Sequence, residues 1–261
     1  MARRLESSNP VFTRSEPLVR ASSVGFRTTS VDEVSEIYAT PQRLTMEDIV
    51  MKTAILLGII FVTGAFAWVL NAGPGIVALA GIVGFGLALV NIFKKQVSPP
   101  LVLAYAAFEG VFLGAISHAY ESRFQGGITV QAAVGTAAVF TAVLVGYKSG
   151  RLRATPRFTR IVVSAFVGLF ALVIVNLLAS VIGGGDGLGL RSGGPIAILF
   201  SLAFIVVGSL TFVLDFDQAD KMVAAGVDSR ESWRVSFGLV VGLVWLYLEV
   251  LRLLSYLQGR D

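Results

Sequence analysis

Residues 195–220 read PIAILFSLAFIVVGSLTFVLDFDQAD, and this stretch decides the fold. The twenty residues 195–214 carry no charged side chain. The hydrocarbon core of a bilayer is about 30 Å thick and needs about 20 mainly apolar residues per crossing helix. The stretch therefore predicts a transmembrane helix over 195–217 that ends in a group of acids.

Six further apolar runs have the same character, and turn-forming residues separate them. They cover 50–70, 75–94, 100–120, 128–148, 160–182 and 236–257. The whole chain of 261 residues is 55% hydrophobic and 15% charged, whereas soluble domains are about 25% charged. We therefore predict an all-α integral membrane protein with seven transmembrane helices. The run 75–94 is rich in glycine, and without it the count is six.

The basic residues of the connections alternate between the two sides of the membrane. The N-terminal tail and the second, fourth and sixth connections hold Arg3, Arg4, Arg14, Arg20, Arg27, Arg43, Lys52, Lys94, Lys95, Lys148, Arg151, Arg153, Arg157, Arg160, Lys221, Arg230 and Arg234. The first connection has none, the third has Arg123 and the fifth has Arg191. Because cytoplasmic loops are enriched in Lys and Arg, we expect a multi-pass protein of the cell's inner (plasma) membrane. Its N-terminus is then cytoplasmic and its C-terminus outside, and the alternation supports seven spans.

The N-terminal tail differs from the rest of the chain. Residues 1–48 are rich in Ser, Thr and Arg with almost no periodic apolar pattern, which predicts a mostly disordered cytoplasmic segment. Residues 49–258 form the predicted membrane domain. At the junction, Thr45 is placed to cap a helix with Glu47 and Asp48 in its first turn.

Composition also excludes several classes of function. The chain has no cysteine and one histidine, His118, so thiolate metal sites, Cys nucleophiles, zincin sites and serine-hydrolase triads are disfavoured. The net charge of +4 reflects basic loops rather than a nucleic-acid surface. An enzyme that transfers lipid with magnesium on Asp215, Asp217 and Asp220 would need a second acidic cluster. We therefore expect no enzyme activity, no nucleic-acid partner and no cofactor.

Polar groups inside the membrane are functional candidates, because a charge at the bilayer centre costs at least about 2.5 kcal/mol. Glu109 lies near the middle of the third helix, where it either functions or locks two helices together. Glu249 lies in the seventh helix on one face with Gly238, Gly242, Trp245, Arg252 and Tyr256. We favour a functional role for Glu249, and the alternative is an internal ion pair with Arg252.

The acids at the end of the sixth helix fall on two faces. Asp215 shares a face with Gln218, and this face can point into the bundle. Asp217 shares the other face with Asp220 and Lys221, which is typical of a solvated helix end. A charged loop entrance is the structural alternative for the whole segment.

Asp215 and Glu249 lie on consecutive helices, which are expected to be antiparallel neighbours. Two facing carboxyls cannot both ionise cheaply, so the pair would share one proton near neutral or acidic pH. Loss of that proton would separate them or prepare them to hold a cation, and calcium is the natural candidate because hard cations prefer oxygen ligands. Measured along the helices from the turn expected between them, Asp215 and Glu249 differ in depth by roughly 13 Å. A non-helical stretch near Ser229–Trp233 would have to absorb this difference.

Several segments resemble the Bax inhibitor-1 family of seven-helix membrane proteins. The segment 212–218, FVLDFDQ, is similar to the aromatic-rich end of that family's sixth helix. The segment 246–249, LYLE, resembles its Leu-Tyr-Leu-Asp signature, with Glu249 in place of Asp. Phe108-Glu109-Gly110 with Leu113-Gly114 resembles its third helix, and residues 8–12 and 45–54 are similar to its actinobacterial branch. The resemblance covers about residues 45–258.

The resemblance implies a bundle with the seventh helix at its centre. It also implies a pH-sensitive calcium leak controlled by paired acids on helices six and seven, which correspond to Asp215 and Glu249. In compact bacterial relatives an Arg at the end of helix two latches the acid pair, and Lys94 or Lys95 holds that place here. A Lys offers a point charge rather than the planar fork of Arg.

We therefore expect a proton-regulated cation channel with calcium as the permeant ion. Asp215 and Glu249 form its sensor and gate and the calcium pathway, with Gln218, Glu109 and Arg252 as supporting polar groups. The alternative is a membrane regulator without transport activity, which binds a membrane protease or a stress-response partner.

Overall fold

The computed structural model describes residues 43–124, 126–183, 185 and 187–259. Most of the segment 1–48, for which disorder was predicted, lies outside the described residues. Seven helices, all long and apolar enough to cross a membrane, follow one another in the described residues. They are α1 (Met46–Val69), α2 (Pro74–Phe93), α3 (Pro99–Phe124), α4 (Ile128–Lys148), α5 (Pro156–Gly183), α6 (Pro195–Ala224) and α7 (Glu231–Gln258). The prediction of an all-α fold with seven spans is confirmed.

Local sequence signals explain where several helices begin. Pro74, Pro99, Pro156 and Pro195 each open a helix, because proline has the right φ and lacks only an N–H that the first turn cannot use. Thr45 caps α1 as predicted: its hydroxyl accepts from the Asp48 N–H, and the Asp48 carboxylate accepts from the Thr45 N–H. This capping box pairs two amide groups that the first turn leaves free.

Helices α6 and α7 extend further than hydropathy predicted. The sixth run was expected to end at 217 and the seventh to begin at 236, whereas α6 ends at Ala224 and α7 begins at Glu231. The added residues are charged and polar, so an apolar window does not detect them, although their backbone still forms helix. A tight turn through Gly226, with φ +65°, joins the two helices.

Helix α7 is the central element. It packs against α1, α3, α4 and α6, whereas α2 lies along α3 and α5 lies along α6. One apolar core joins α4, α6 and α7 around Phe212, and a second joins α1, α3 and α7 around Tyr105. Large apolar side chains on the outer faces of α1, α2 and α5 are exposed, as expected for surfaces in contact with lipid.

Contacts between the connections define two ends of the bundle. At one end, Lys52 of α1 binds the carbonyl of Ser229 at 3.3 Å, and Arg234 of α7 binds the carbonyl of Lys95 at 2.6 Å. We call this the basic end, because it holds Arg43, Lys52, Lys94, Lys95, Lys148, Arg151, Arg153, Arg157, Arg160, Lys221, Arg230 and Arg234. The opposite end holds the connections α3–α4 and α5–α6 and the end of α7, where Gln258 contacts Gln131.

Candidate functional site

Glu249 is the most deeply buried acid in the described chain, with 2% of its surface exposed. One carboxylate oxygen accepts from the Ser201 hydroxyl of α6 at 2.9 Å. The other accepts from Arg252 Nη1 at 2.5 Å and lies 3.8 Å from Arg191 Nη2. The ion pair between Glu249 and Arg252, which was the alternative to a functional role, is present and forms one part of a cluster with two cations and one anion.

Arg191 enters this cluster from the connection between α5 and α6. Its carbonyl accepts a hydrogen bond from the Tyr256 hydroxyl of α7 at 3.1 Å. Burial and the neighbouring Arg252 lower the pKa of Arg191, since both disfavour its charged form. The cluster therefore lies at the opposite end of the bundle, where α7 ends and this connection folds over it.

A narrow crevice leads from Glu249 along the α6–α7 interface. Its cavity of about 100 Å³ is lined by Phe166, Phe204, Gly208, Thr211, Val241, Gly242, Trp245, Leu246 and Glu249. The rings of Phe204 and Trp245 lie 5.6 Å apart and narrow the middle of the crevice. Trp245 Nε1 is buried without a hydrogen-bond partner in the described structure. The crevice thus has a charged end at Glu249 and an aromatic constriction beside it.

Asp215 lies beyond the other end of the crevice. It follows Thr211 by one helical turn, so both side chains project from the same face of α6. It is half-buried, and no hydrogen bond or ion pair involves its carboxylate within the described residues. Among the described residues, no cation therefore pairs with this half-buried carboxylate, whereas Glu249 has two cations beside it.

The structure does not bring Asp215 and Glu249 together, so the expected shared proton is wrong for this arrangement. Glu249 binds Ser201, which precedes Asp215 by fourteen residues of α6. At 1.5 Å per residue the two levels are about 21 Å apart along the helix. The connection cannot absorb this offset, because both helices are continuous up to the turn at Gly226. The two acids instead lie at different depths beside one crevice.

The predicted latch is also wrong in position. The side chains of Lys94 and Lys95 are exposed at the basic end. Their backbone carbonyls accept from Arg234 at 3.3 and 2.6 Å, whereas Glu249 lies toward the opposite end. The cations beside Glu249 in the described residues are Arg252 and Arg191 instead.

Glu109 lies outside the crevice. It is 9% exposed, and its carboxylate points at Gly84 of α2, where an added Cβ would be 3.0 Å from Oε2. No side-chain hydrogen bond of Glu109 is found among the described residues. Glu109 therefore occupies the contact between α2 and α3, as the locking interpretation requires, although it does so without a hydrogen bond.

The remaining acids of α6 form the solvated helix end that the sequence predicted. Asp217 pairs with Lys221 at 2.5 Å, and Asp220 accepts from the Tyr147 hydroxyl at 2.6 Å. Both acids line a second cavity of about 540 Å³ at the basic end, beside the α4–α5 connection. Gln218 is exposed and does not join Asp215 in the interior. Among the described residues, no group of three His, Cys, Asp or Glu side chains is arranged to hold a metal ion.

Sequence reasoning missed Ser201 and Arg191. Ser201 carried no signal, because a serine in an apolar helix is common and its partner depends on helix register. Arg191 did carry one: it is the lone basic residue of the fifth connection, on the side where basic residues are rare. A cation that departs from the loop pattern is a candidate partner for a buried acid.

Comparison with known proteins fits this arrangement of seven helices. The family model described as Bax inhibitor 1 like matches residues 9–259. No curated protein matches the chain significantly. The match covers nearly the whole chain, and the chain belongs to the Bax inhibitor-1 family.

Proposed function

From the family to which this chain belongs and from the crevice beside α7, we propose a pH-regulated cation leak channel of the plasma membrane. Calcium is the proposed permeant ion, and the protein acts without enzyme activity or a cofactor. One observation carries the proposal: the buried carboxylate of Glu249 lines a crevice between α6 and α7. Thr211 lines the same crevice and lies one helical turn from Asp215, which has no cation partner among the described residues. Ionisable groups that face a cavity inside a membrane typically mark an ion pathway.

The described arrangement corresponds to a closed state. The two guanidinium groups of Arg252 and Arg191 already satisfy Glu249, so no cation can bind there without displacing one of them. The crevice is also small, with a volume of about 100 Å³. The rings of Phe204 and Trp245 form a hydrophobic constriction, and such constrictions gate by excluding water.

Release of Arg191 from Glu249 is the proposed opening step. Among the described residues it leaves Arg252 as the one cation paired with Glu249, so the carboxylate can then attract a permeant cation. The other charged and titratable groups around this site are Tyr256 of α7 and Tyr120 of α3. Departure of Arg191 therefore opens the mouth of the crevice beside Glu249.

Asp215 acts at a different step. An ionised carboxylate without a countercharge attracts a divalent cation to the end of the crevice near the basic end. Because Asp215 and Glu249 lie about 21 Å apart along α6, they act in series rather than as a pair. Glu249 sets the gate, and Asp215 concentrates the ion.

Calcium flux into proteoliposomes between about pH 5 and about pH 8 tests this function. We expect the wild-type flux to rise as pH falls. Glu249→Gln removes the charge that holds both guanidinium groups while keeping nearly the same size, so its flux should be high at every pH. Glu121→Gln is the matched control, because Glu121 binds the amides of Gly127 and Thr129 at the same end of the bundle.

Two results would contradict the proposal. The first is an unchanged pH profile for Glu249→Gln, and the second is the absence of wild-type flux at every pH. In the second case the regulator hypothesis becomes the better one, and capture of a membrane protease by the full chain is its test.

A further inference from the structure

One buried side chain anchors the connection between α5 and α6. Asn176 of α5 is 6% exposed, although the rest of that helix is almost entirely exposed to lipid. Its carbonyl oxygen Oδ1 accepts from the Leu188 N–H at 2.9 Å and from the Leu190 N–H at 3.4 Å. Asn176 therefore fixes the path of the residues that lead directly to Arg191.

Gly187 lets the connection approach this anchor closely. Its φ of +62° favours glycine, and a Cβ there would overlap the backbone carbonyl of Asn176. The connection is thus built to lie against α5 at this one point. Beyond it, Tyr256 holds the carbonyl of Arg191 from the α7 side.

The two cations at Glu249 are not equivalent. Arg252 belongs to α7 itself and binds Glu249 at 2.5 Å across one helical turn, so the helix keeps both groups close together. Arg191 belongs to a connection, its Nη2 is 3.8 Å from the carboxylate, and its Nε is buried without a hydrogen-bond partner in the described structure. A buried donor without a partner is less stable than the same donor in water. Arg191 is therefore the more weakly held of the two partners.

We propose that Arg191 is a tethered cation that competes with the permeant ion for Glu249, and that Asn176 is the residue that positions it. The inference rests on the proposed function of the Glu249 site. When Arg191 is in place, Glu249 has no charge left for an incoming cation. When the connection detaches from Asn176, the mouth of the crevice and the Ser201 side of Glu249 become accessible.

Thiol labelling tests the positioning claim without measuring transport. The chain contains no cysteine, so Ser201→Cys introduces a single reporter, and Ser201 is only 1% exposed. We expect slow labelling of the full chain by a membrane-impermeant methanethiosulfonate. Adding Asn176→Ala or Arg191→Gln should speed it at least about tenfold, a difference of about 1.4 kcal/mol in protection. Asn176→Asp keeps an acceptor oxygen and should restore slow labelling.

The reporter Ser122→Cys is the matched control, because Ser122 is exposed at the same end of the bundle. It should label at one rate in every background. Equal labelling of Ser201→Cys in all backgrounds would overturn the proposal. Arg191→Gln lies in a connection outside the helices, so it remains informative if Asn176→Ala fails to fold.

Flux separates failure of this inference from failure of the proposed function. Arg191→Gln should leak calcium at neutral pH, where the wild type is closed. Faster labelling without flux in any variant would support the positioning role of Asn176 and contradict the channel function. A pH-gated flux that is unchanged in Arg191→Gln would support the channel function and contradict the role of Arg191 as a competing cation.

Discussion

Two glycine-rich interfaces of this bundle use glycine in opposite ways. Between α1 and α3, a Cβ added to Gly110 or Gly114 would collide with the backbone of α1 near Ile60 or Gly64. Along α6 and α7, a Cβ added to Gly208 or Gly238 would meet nothing within 4 Å, and one added to Gly242 would meet only the side chain of Phe212, at 2.8 Å. The first interface is a close-packed seam, and the second borders the crevice.

This difference indicates that the part of the bundle around α1 and α3 is rigid and that the part around α5 and α6 is adaptable. Small residues let membrane helices approach closely, and the seam between α1 and α3 uses them for that purpose. Helix α5 packs along α6 and is otherwise exposed, so it can move with few losses in contact. Elements that move are drawn from the less densely packed parts of a protein, and the crevice lies there.

The largest expected effect comes from breaking the seam. Gly114→Ala places a methyl group inside the backbone of Gly64, so α1 and α3 must separate. We expect a loss of about 3 kcal/mol in the free energy of unfolding. Gly208→Ala has free space and should change stability by less than about 0.5 kcal/mol. Unfolding in mixed detergent measures both, and equal losses would contradict the comparison.

The next effect concerns the uncompensated acid at the end of the crevice. Asp215→Asn removes the charge that attracts the cation, so calcium flux at neutral pH in the Arg191→Gln background should fall about tenfold, which corresponds to about 1.4 kcal/mol. Asp217→Asn is the matched control: it lies two residues away and already pairs with Lys221. Flux assays in proteoliposomes should show little change for the control. A similar loss in both variants would assign the effect to general surface charge.

A smaller effect is expected at the aromatic constriction. Phe204→Leu shortens a ring that contacts Trp245, so water enters the crevice more easily. The basal leak at neutral pH should rise about threefold, which corresponds to about 0.7 kcal/mol. Phe237→Leu is the control, since Phe237 is buried against Tyr105 without lining the crevice or contacting Phe204. An increase in the control alone would place the constriction elsewhere.

Only some of these features could be predicted from the sequence. Hydropathy and loop charge are enough to predict seven helices, and the spacing of Glu249 and Arg252 is enough to suggest their ion pair. The sequence indicated a depth offset of roughly 13 Å between Asp215 and Glu249, but its full size depends on where α6 and α7 end. Those ends are charged, and an apolar window stops short of them. Arg191 could not be assigned to Glu249 because the path of a connection depends on its anchor, Asn176.

The smallest expected effect compares helix caps in these two parts of the bundle. Thr45→Ala removes the cap of α1, which is packed into the seam, so global stability should fall by about 0.5 kcal/mol, the low end of the range for a lost cap. Thr155 caps α5 by accepting from the Phe158 N–H at 3.2 Å. Because α5 contacts mainly α6, Thr155→Ala should loosen that helix locally. Hydrogen exchange should then rise in the first turn of α5 with little change in global unfolding, and an equal global loss in both variants would show that the two parts unfold as one unit.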